Sequence, residues 1–294
     1  MKNLIYQFWD TFQSNGKIFP CVEASSKSMK KYAERIGAEY KFELNPPHLH
    51  SSLKEHNIPQ YYGSVNPVFR EEFHEYDNVL FTDADVFVVD DIEESIFDSF
   101  TGDIGICEEI FEPKRQIYET KRLLNKNLYD WWATANEQRF NMHYPRTDDG
   151  LLRAFNSGVV LYSNNGMKIA KEHFIPFEDY CDNIVKNNLK TFFAADQHYI
   201  NTSMWNIYPM LSVQIMDYKW NTEVVYYDKS PTEVLYHKTE DTKFVHIQLR
   251  KFHGVPHGRW NFDEELLWKI TNKPVNEWGL NLIDITEQKR KQLL

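Results

Sequence analysis

Apolar and polar positions along the first half of the chain predict strands and helices in alternation. Residues 4–9 form the apolar run of a strand. The next apolar residues recur at helical spacing; Ser25 or Ser26 is expected to cap that helix, and Gly37 to end it. Residues 38–44 then alternate as a second strand. Because a strand–helix–strand unit joins parallel strands through a right-handed crossover, the pattern predicts an α/β fold.

The same kind of pattern continues to the end of the chain. The further predicted elements are a helix that opens at Asn66-Pro67 and carries Val68, Phe69, Phe73 and Tyr76, irregular helix and loop over residues 108–150, strands over residues 155–162 and 244–247, a helix from Phe177 to Val185, and a closing helix from Asp263. The sequence contains no repeat, low-complexity segment or linker. We therefore expect one domain over residues 1–294, with a Rossmann-like, mostly parallel sheet flanked by helices.

Two aspartates, Asp83 and Asp85, lie one residue apart between two apolar stretches. Residues 79–81 are apolar throughout, as in a strand covered on both faces, so both carboxylates follow a buried strand. Ligands of open α/β sheets collect at that end of the strands. Carboxylates held so close repel each other unless a cation or a proton lies between them. A divalent cation that prefers oxygen, such as Mg²⁺ or Mn²⁺, would remove this repulsion.

Composition and charge limit the function. The net charge of −10 argues against a broad nucleic-acid surface, which needs clustered Lys and Arg. The cysteines Cys21, Cys107 and Cys181 are widely separated and lack metal-ligand spacing, which is typical of buried thiols in a reducing compartment. The sequence has neither a signal peptide nor an apolar stretch of membrane-spanning length. We therefore expect a cytoplasmic protein without a transmembrane segment.

Four motifs follow one another in a characteristic order. They are the helix and turn leading into Val79-Leu80-Phe81-Thr82-Asp83-Ala84-Asp85, then Phe155-Asn156-Ser157-Gly158-Val159, then Ala195-Asp196-Gln197, then Val245-His246-Ile247. In this order they resemble the nucleotide-sugar glycosyltransferases of the GT-A fold, most closely the glycogenin and bacterial galactosyltransferase group, glycosyltransferase family eight. The resemblance covers roughly residues 1–260. It implies a GT-A fold with a nucleotide-binding half over residues 1–107, a sugar and acceptor half over residues 108–260, and a helical tail over residues 261–294.

A metal site is the first implication of this resemblance. In the family, two acidic residues and a later histidine hold Mn²⁺ against the donor diphosphate, which implies Asp83, Asp85 and His246 as ligands here, with Mg²⁺ as the other candidate ion. Oxygen ligands with one imidazole suit Mn²⁺. The alternative for His246 is a strand-end histidine satisfied by local hydrogen bonds. The loop after His246 is longer than in the family and lacks its Lys-Pro, so His253 is a second candidate ligand.

Four polar residues match the family's sugar-facing segments. Asn156 and Ser157 correspond to the segment that faces the donor sugar, and Asp196 and Gln197 to the pair that binds sugar hydroxyls near the reacting carbon. Asn156, Asp196 and Gln197 are therefore the expected catalytic residues. The alternatives are a backbone turn formed by Asn156 and Gly158, and a helix N-cap at Asp196.

The remaining implied contacts are to the nucleotide. The first strand, at Tyr6, Gln7 and Phe8, would border the base, and Asp83 with Ala84 would also contact the nucleotide. Arg70 resembles a basic residue near the phosphates, although an arginine on a solvated helix face is the alternative. Because the family's Lys-Pro is missing, the diphosphate contact is expected to pass to Lys251 or Arg259.

These residues together predict a metal-dependent glycosyltransferase. It would move a hexose or pentose from a nucleoside diphosphate sugar, UDP-sugar by resemblance, to a hydroxyl of a glycan or glycoconjugate, with retention of configuration. The Tyr- and Trp-rich residues 108–150 and 217–236 are candidates for the acceptor cleft. One alternative is a phosphohydrolase of the haloacid-dehalogenase type, which usually has Thr or Val where Phe87 stands. The other is a non-catalytic carbohydrate- or nucleotide-binding protein on the same fold.

Overall fold

The computed structural model describes residues 1–11, 16, 18, 20–47, 62–89, 92–109, 126–225, 235–236 and 241–247. These residues form two compact units, and the chain passes between them several times. Unit 1 is built mainly from residues 47–81 and 100–216, and unit 2 from residues 2–46, 82–99 and the chain after residue 216. The expected halves with boundaries at residues 107 and 260 stay a prediction, and the closing helix from Asp263 lies outside the described residues.

Regular elements occur throughout the described residues. In chain order they are β1 (Asn3–Trp9), α1 (Pro20–Ile36), β2 (Glu39–Leu44), α2 (Asn66–Phe69), β3 (Asn78–Thr82), β4 (Val86–Val88), β5 (Ile104–Glu108), α3 (Lys126–Phe140), β6 (Phe155–Ser163), α4 (Asn164–His173), α5 (Phe177–Lys186), α6 (Asp196–Asn206), β7 (Val213–Met216), β8 (Thr222–Val225), β9 (Leu235–Tyr236) and β10 (Phe244–Ile247). The fold class is α/β, as predicted, with a six-stranded, mostly parallel sheet and helices.

Unit 2 begins with the predicted strand–helix–strand unit. Strands β1 and β2 pair in parallel, with Leu4 opposite Glu39. The residue after α1, Gly37, has a φ of +71°, a backbone conformation that glycine adopts without strain, so it ends the helix as expected. The expected cap at Ser25 or Ser26 is wrong, because α1 starts at Pro20 and both serines lie inside it. The Ser25 hydroxyl donates a hydrogen bond to the backbone of β4 instead.

A second sheet completes unit 2. Its strands are ordered β4-β10-β8-β9. Strand β10 pairs antiparallel with β4 and parallel with β8. Phe244, the first residue of β10, is buried against Trp220, with the two rings 5.2 Å apart and at a steep angle. The sheet gives the residues of β10 fixed neighbours on both sides.

Unit 1 contains the neighbouring strands β3, β6, β5 and β7. The apolar run Val79–Phe81 lies within β3 and has no exposed surface, as expected for a strand covered on both faces. Strand β6 is antiparallel to β5, and the register shifts so that Cys107 faces Asn156 whereas Ile106 faces Val160. Residues 157–159 of β6 therefore lie in a bulge or similar irregularity of the ladder, between the residues paired with Cys107 and Ile106.

The predicted helix from Asn66-Pro67 is shorter than expected. Helix α2 ends at Phe69, Arg70 is extended with φ of −105° and ψ of +121°, and Glu71–Glu75 forms a separate 3-10 helix. The apolar spacing of Val68, Phe69 and Phe73 therefore spans two short helices instead of one. No helix in the described residues is long and apolar enough to cross a membrane.

Candidate functional site

The acidic pair lies in a tight turn between β3 and β4. The backbone N–H of Val86 donates to the Asp83 carbonyl at 3.2 Å, which closes the four-residue turn that also contains Ala84 and Asp85. The carboxylates therefore project from a turn and not from one continuous strand, because β3 and β4 are separate strands. The side chain of Asp83 is 36% exposed and that of Asp85 is 16% exposed.

Strand pairing brings His246 to this turn from far along the chain. Antiparallel pairing of β10 with β4 sets His246 opposite Val86, the residue that follows Asp85. The His246 Nε2 atom lies 3.2 Å from Asp85 Oδ1 and 3.7 Å from Asp83 Oδ2. One potential ligand atom from each of the three residues lies within 4.8 Å of the other two. The structure thus brings together the three residues that the sequence predicts as metal ligands.

The His246 ring is buried and its orientation is fixed by Asn221. The ring Nδ1 atom lies 3.1 Å from Asn221 Oδ1, which is an acceptor, so Nδ1 carries a hydrogen and Nε2 faces the aspartates. Burial lowers the pKa of His246, but Asp85, Asp83 and Glu223 together outweigh it and raise the pKa to about 9. The imidazole is therefore in a strongly anionic environment that favours a cation.

The donor set fits a divalent cation. Two carboxylates supply oxygen and one imidazole supplies nitrogen, which suits Mn²⁺ and allows Mg²⁺. Asp83 is partly exposed, so an ion held there could also bind a ligand from solution. A histidine that ligates a metal usually donates its other ring N–H to an acceptor, and Asn221 Oδ1 is such an acceptor for His246 Nδ1.

Asn221→Ala tests whether this hydrogen bond orients the ligand. We expect the affinity for Mn²⁺ to fall by about 10- to 100-fold, because residues that orient a ligating histidine typically contribute that much. Asn221→Asp keeps an acceptor at the same place and should retain most of the affinity. Binding can be followed through the electron paramagnetic resonance signal of free Mn²⁺. Equal affinities in wild type and Asn221→Ala would show that the Asn221 contact does not contribute.

Unit 1 contains a second group of polar side chains, in which Glu109 and Asn156 are buried and Gln197 is partly buried. The amide Nδ2 of Asn156 lies 3.4 Å from Gln197 Oε1, and Gln197 Nε2 donates to Glu109 Oε2 at 2.9 Å. The N–H of Gly158 donates to Asn156 Oδ1 at 2.8 Å. In both amides the NH₂ group faces a hydrogen-bond acceptor and the oxygen faces a donor. The orientation of the Asn156 and Gln197 amides is therefore determined. We call Glu109, Asn156 and Gln197 the amide cluster.

Asp196 directly precedes Gln197 in sequence, is partly buried, and is held by two hydrogen bonds. Ser64 Oγ donates to its Oδ2 at 2.6 Å, and the backbone N–H of Gln197 donates to its Oδ1 at 2.8 Å. Burial raises the pKa of this carboxyl to about 6, although both hydrogen bonds act in the opposite direction. The alternative of an N-cap is wrong: α6 starts at Asp196 itself, with Ala195 in the cap position.

The raised pKa of Asp196 makes the stability of the protein depend on pH. The folded protein holds this proton more tightly than the unfolded chain, whose carboxyl has an ordinary pKa near 3.8. The stabilising contribution is therefore complete below about pH 4 and is lost as the pH rises through about 6. Since one pKa unit corresponds to about 1.4 kcal/mol, the loss is roughly 3 kcal/mol.

Asp196→Asn should remove this dependence. Urea unfolding of both proteins from pH 4 to pH 7.5 measures it, and we expect the free energy of unfolding of wild type to fall relative to the variant across that range. A constant difference between the two curves would contradict a raised pKa at Asp196.

Other predicted site residues have protein partners in the structure. Ser157 is buried in the bulge of β6. Tyr6 is buried and donates to Glu43 Oε2 at 2.9 Å, and Phe8 is half-buried, with its ring stacked on that of Tyr6. Gln7 is buried and binds the turn of Asp83, as detailed below. The contacts of these residues with a nucleotide or sugar stay predictions.

Four further residues are predicted to contact the phosphates or the metal, and the structure describes one of them, Arg70. Arg70 forms an ion pair with Glu72, and its guanidinium lies 5.1 Å from the centre of the Phe73 ring. Its contact with phosphate stays a prediction. Lys251 and His253 lie outside the described residues, as does Arg259.

Sequence reasoning missed Glu109, Asn221 and Ser64. Glu109 follows β5 directly and is buried, and Asn221 precedes β8 and is also buried. A charged or amide side chain after a strand is common in loops, so neither position carries a distinguishing signal. Their significance follows only from the partners that folding supplies.

Comparisons with known proteins find similarity to solved structures. No family model and no curated protein matches the chain. Among solved structures, the chain is similar to a glycosyltransferase involved in the glycosylation of the major capsid of PBCV-1, with 14% identity, a TM-score of 0.45, and coverage of 86% of this chain and 95% of that one.

Two further structures are similar to the same degree. Mouse xyloside xylosyltransferase 1 has 13% identity and a TM-score of 0.48, with coverage of 84% of this chain and 97% of that one. The galactosyltransferase LgtC, in complex with donor and acceptor sugar analogs, has 13% identity and a TM-score of 0.46, with coverage of 92% and 95%.

Proposed function

We propose that the chain is a metal-dependent glycosyltransferase of the GT-A type that moves a sugar from a nucleoside diphosphate sugar to an acceptor hydroxyl. The observation that carries this proposal is the convergence of Asp83, Asp85 and His246. Asp83 and Asp85 are about 160 residues from His246 in sequence, yet β-sheet pairing aligns them. A strand-end histidine with only local partners would not require this convergence.

The three residues would bind and orient the diphosphate through Mn²⁺ or Mg²⁺. When bound, such a cation offsets the negative charge that builds on the departing nucleoside diphosphate. Asp83 and Asp85 supply the negative charge that holds the ion, and Asn221 keeps the His246 Nε2 atom directed at it. Because the metal supplies the positive charge, the protein needs few cationic side chains for phosphate, which agrees with its net charge of −10.

The amide cluster and Asp196 would bind the sugar. An amide offers a donor and an acceptor together, and a carboxylate accepts two hydroxyl protons, so Asn156, Gln197 and Asp196 can satisfy several sugar hydroxyls. Asn156 is buried, whereas Asp196 and Gln197 are partly exposed, so a sugar bound there would be partly shielded from water and could still enter from solution. Glu109 holds the Gln197 amide in one orientation, which lowers the entropy lost on binding.

The finer assignments follow from the resemblance. We propose UDP-sugar as the donor, a glycan or glycoconjugate as the acceptor, and retention of the anomeric configuration, in the manner of glycosyltransferase family eight. Exposed aromatic side chains in the predicted acceptor segment, such as Trp131, are suited to packing against sugar rings.

A panel of nucleotide-sugars, each with and without Mn²⁺, tests the proposed function. We expect one donor to raise the melting temperature and to be hydrolysed slowly, and both effects to require the metal. Phosphate release from simple phosphomonoesters would instead indicate the phosphohydrolase alternative. Binding of a nucleotide-sugar with no turnover for any acceptor or for water would indicate a non-catalytic binding protein.

A further inference from the structure

Gln7 is a fully buried amide in the middle of β1. Its Nε2 atom donates to Ser25 Oγ and to the Asp83 carbonyl, each at 3.0 Å. Its Oε1 atom accepts a hydrogen bond from the Tyr40 hydroxyl at 2.8 Å. The side chain of Gln7 therefore connects α1 and β2 to the first residue of the Asp83–Val86 turn.

The chemistry of the three partners determines how the Gln7 amide is oriented. The Asp83 carbonyl can only accept, so the amide NH₂ must face it. On the other side of the amide, Tyr40 acts as a donor, since burial raises the pKa of its phenol to about 12 and keeps the proton on the oxygen. Reversing the amide would set Oε1 against a carbonyl oxygen. The arrangement thus has one stable orientation.

Ser25 extends this contact to the other end of the turn. Its hydroxyl accepts from Gln7 Nε2 and donates to the Val86 carbonyl at 2.6 Å. The carbonyl groups of Asp83 and Val86, at the two ends of the turn, are therefore both held by one buried pair of side chains. Between these two carbonyls lie the backbone atoms that carry the carboxylates of Asp83 and Asp85.

We propose that Gln7, acting with Ser25, is a positioning residue that holds the acidic turn in the geometry that binds the metal. This inference rests on the proposed function of Asp83, Asp85 and His246. The carboxylates of Asp83 and Asp85 both project from this turn, so a restraint on the turn backbone determines where their oxygens lie relative to His246. The Gln7 amide supplies that restraint from the buried side, where it does not compete with a ligand.

The experiment compares three substitutions in the full chain. Gln7→Met keeps the length of the side chain and removes all three hydrogen bonds. Ser25→Ala removes the hydroxyl from α1 without loss of helix propensity. Ser28→Ala is the matched control, because Ser28 lies one turn further along α1 and contacts the backbone of β4 at Val88, beyond the turn.

Two readouts are measured for each protein. The first is the affinity of the folded protein for Mn²⁺, followed by paramagnetic resonance of the free ion. The second is the hydrogen exchange of the Val86 amide without metal, since that amide closes the turn on the Asp83 carbonyl. We expect Gln7→Met to weaken Mn²⁺ binding by about 10- to 100-fold and Ser25→Ala by a smaller factor, both with faster exchange at Val86. Ser28→Ala should change neither readout by more than about threefold.

The outcomes separate this inference from the proposed function. If all three variants lose stability while their folded forms keep wild-type affinity for Mn²⁺, Gln7 has a structural role only and the inference is wrong. Unchanged Val86 exchange in both Gln7→Met and Ser25→Ala also contradicts it. If instead Asp85→Ala binds Mn²⁺ as wild type does, the proposed metal site fails, and the exchange data still report whether Gln7 holds the turn. Ser25→Ala decides the question if Gln7→Met does not fold.

Discussion

Asp85→Ala is expected to abolish metal-dependent turnover, with a loss of about 1000-fold or more. The metal contributes several kcal/mol to transition-state stabilisation, and each 1.4 kcal/mol corresponds to a factor of ten in rate. Asp85 is the carboxylate nearest to His246 Nε2, at 3.2 Å. Its replacement by alanine removes one of the three proposed metal ligands. The measurement is nucleotide release from the best nucleotide-sugar, with Mn²⁺ varied from zero to saturation.

Asp98→Asn is the matched control for this substitution. Asp98 belongs to the same unit and is exposed in the 3-10 helix Ile96–Ser99. We expect it to keep wild-type turnover and wild-type dependence on Mn²⁺. Turnover of Asp85→Ala within tenfold of Asp98→Asn at every Mn²⁺ concentration would show that Asp85 is not a ligand.

Gln197→Ala is expected to lower turnover by about 100-fold while leaving Mn²⁺ affinity unchanged. Gln197 is held by Glu109 and Asn156 on its two sides, so its amide is already oriented before a sugar binds. Losing one preorganised hydrogen-bonding group at a reacting centre typically costs 10²- to 10³-fold in rate. Turnover and Mn²⁺ affinity are measured on the same preparation. If the amide cluster binds sugar and the Asp83, Asp85 and His246 site binds metal, only turnover changes.

Asn165→Ala is the control for the amide substitution. Asn165 is an exposed amide in the first turn of α4, in the same unit as Gln197, and its Nδ2 donates to Asp103. It should keep wild-type turnover. A loss of Mn²⁺ affinity in Gln197→Ala would contradict separate roles for the amide cluster and the proposed metal site. Unchanged turnover would show that Gln197 is not a catalytic residue.

The acidic turn shows how far the sequence could predict the site. The apolar residues 79–81 were sufficient to place Asp83 and Asp85 after a buried strand. His246 could be added only through resemblance, since nothing local to residue 246 indicates which residue β10 will pair with. The contact depends on the pairing of β10 with β4, a nonlocal event that apolar periodicity does not encode.

Ser25, Gln7 and Glu109 show where sequence reasoning was insufficient. A serine near an apparent helix start is a normal cap, and only the folded structure shows that the Ser25 hydroxyl binds Val86 inside a longer helix. A polar residue within an apolar strand, such as Gln7, can face a ligand or bind its own protein, and the pattern is the same in both cases. Glu109 is likewise defined by its bond to Gln197, 88 residues away. In each case the partner, and not the residue type, decides the role.

The most direct measurement for the account is a crystal structure of the protein with Mn²⁺ and UDP, with anomalous scattering used to locate the metal. We expect an anomalous peak within ligand distance of a carboxylate oxygen of Asp83, a carboxylate oxygen of Asp85 and Nε2 of His246, with diphosphate oxygens completing the coordination. A peak elsewhere, or UDP bound without any metal at these three residues, would contradict it.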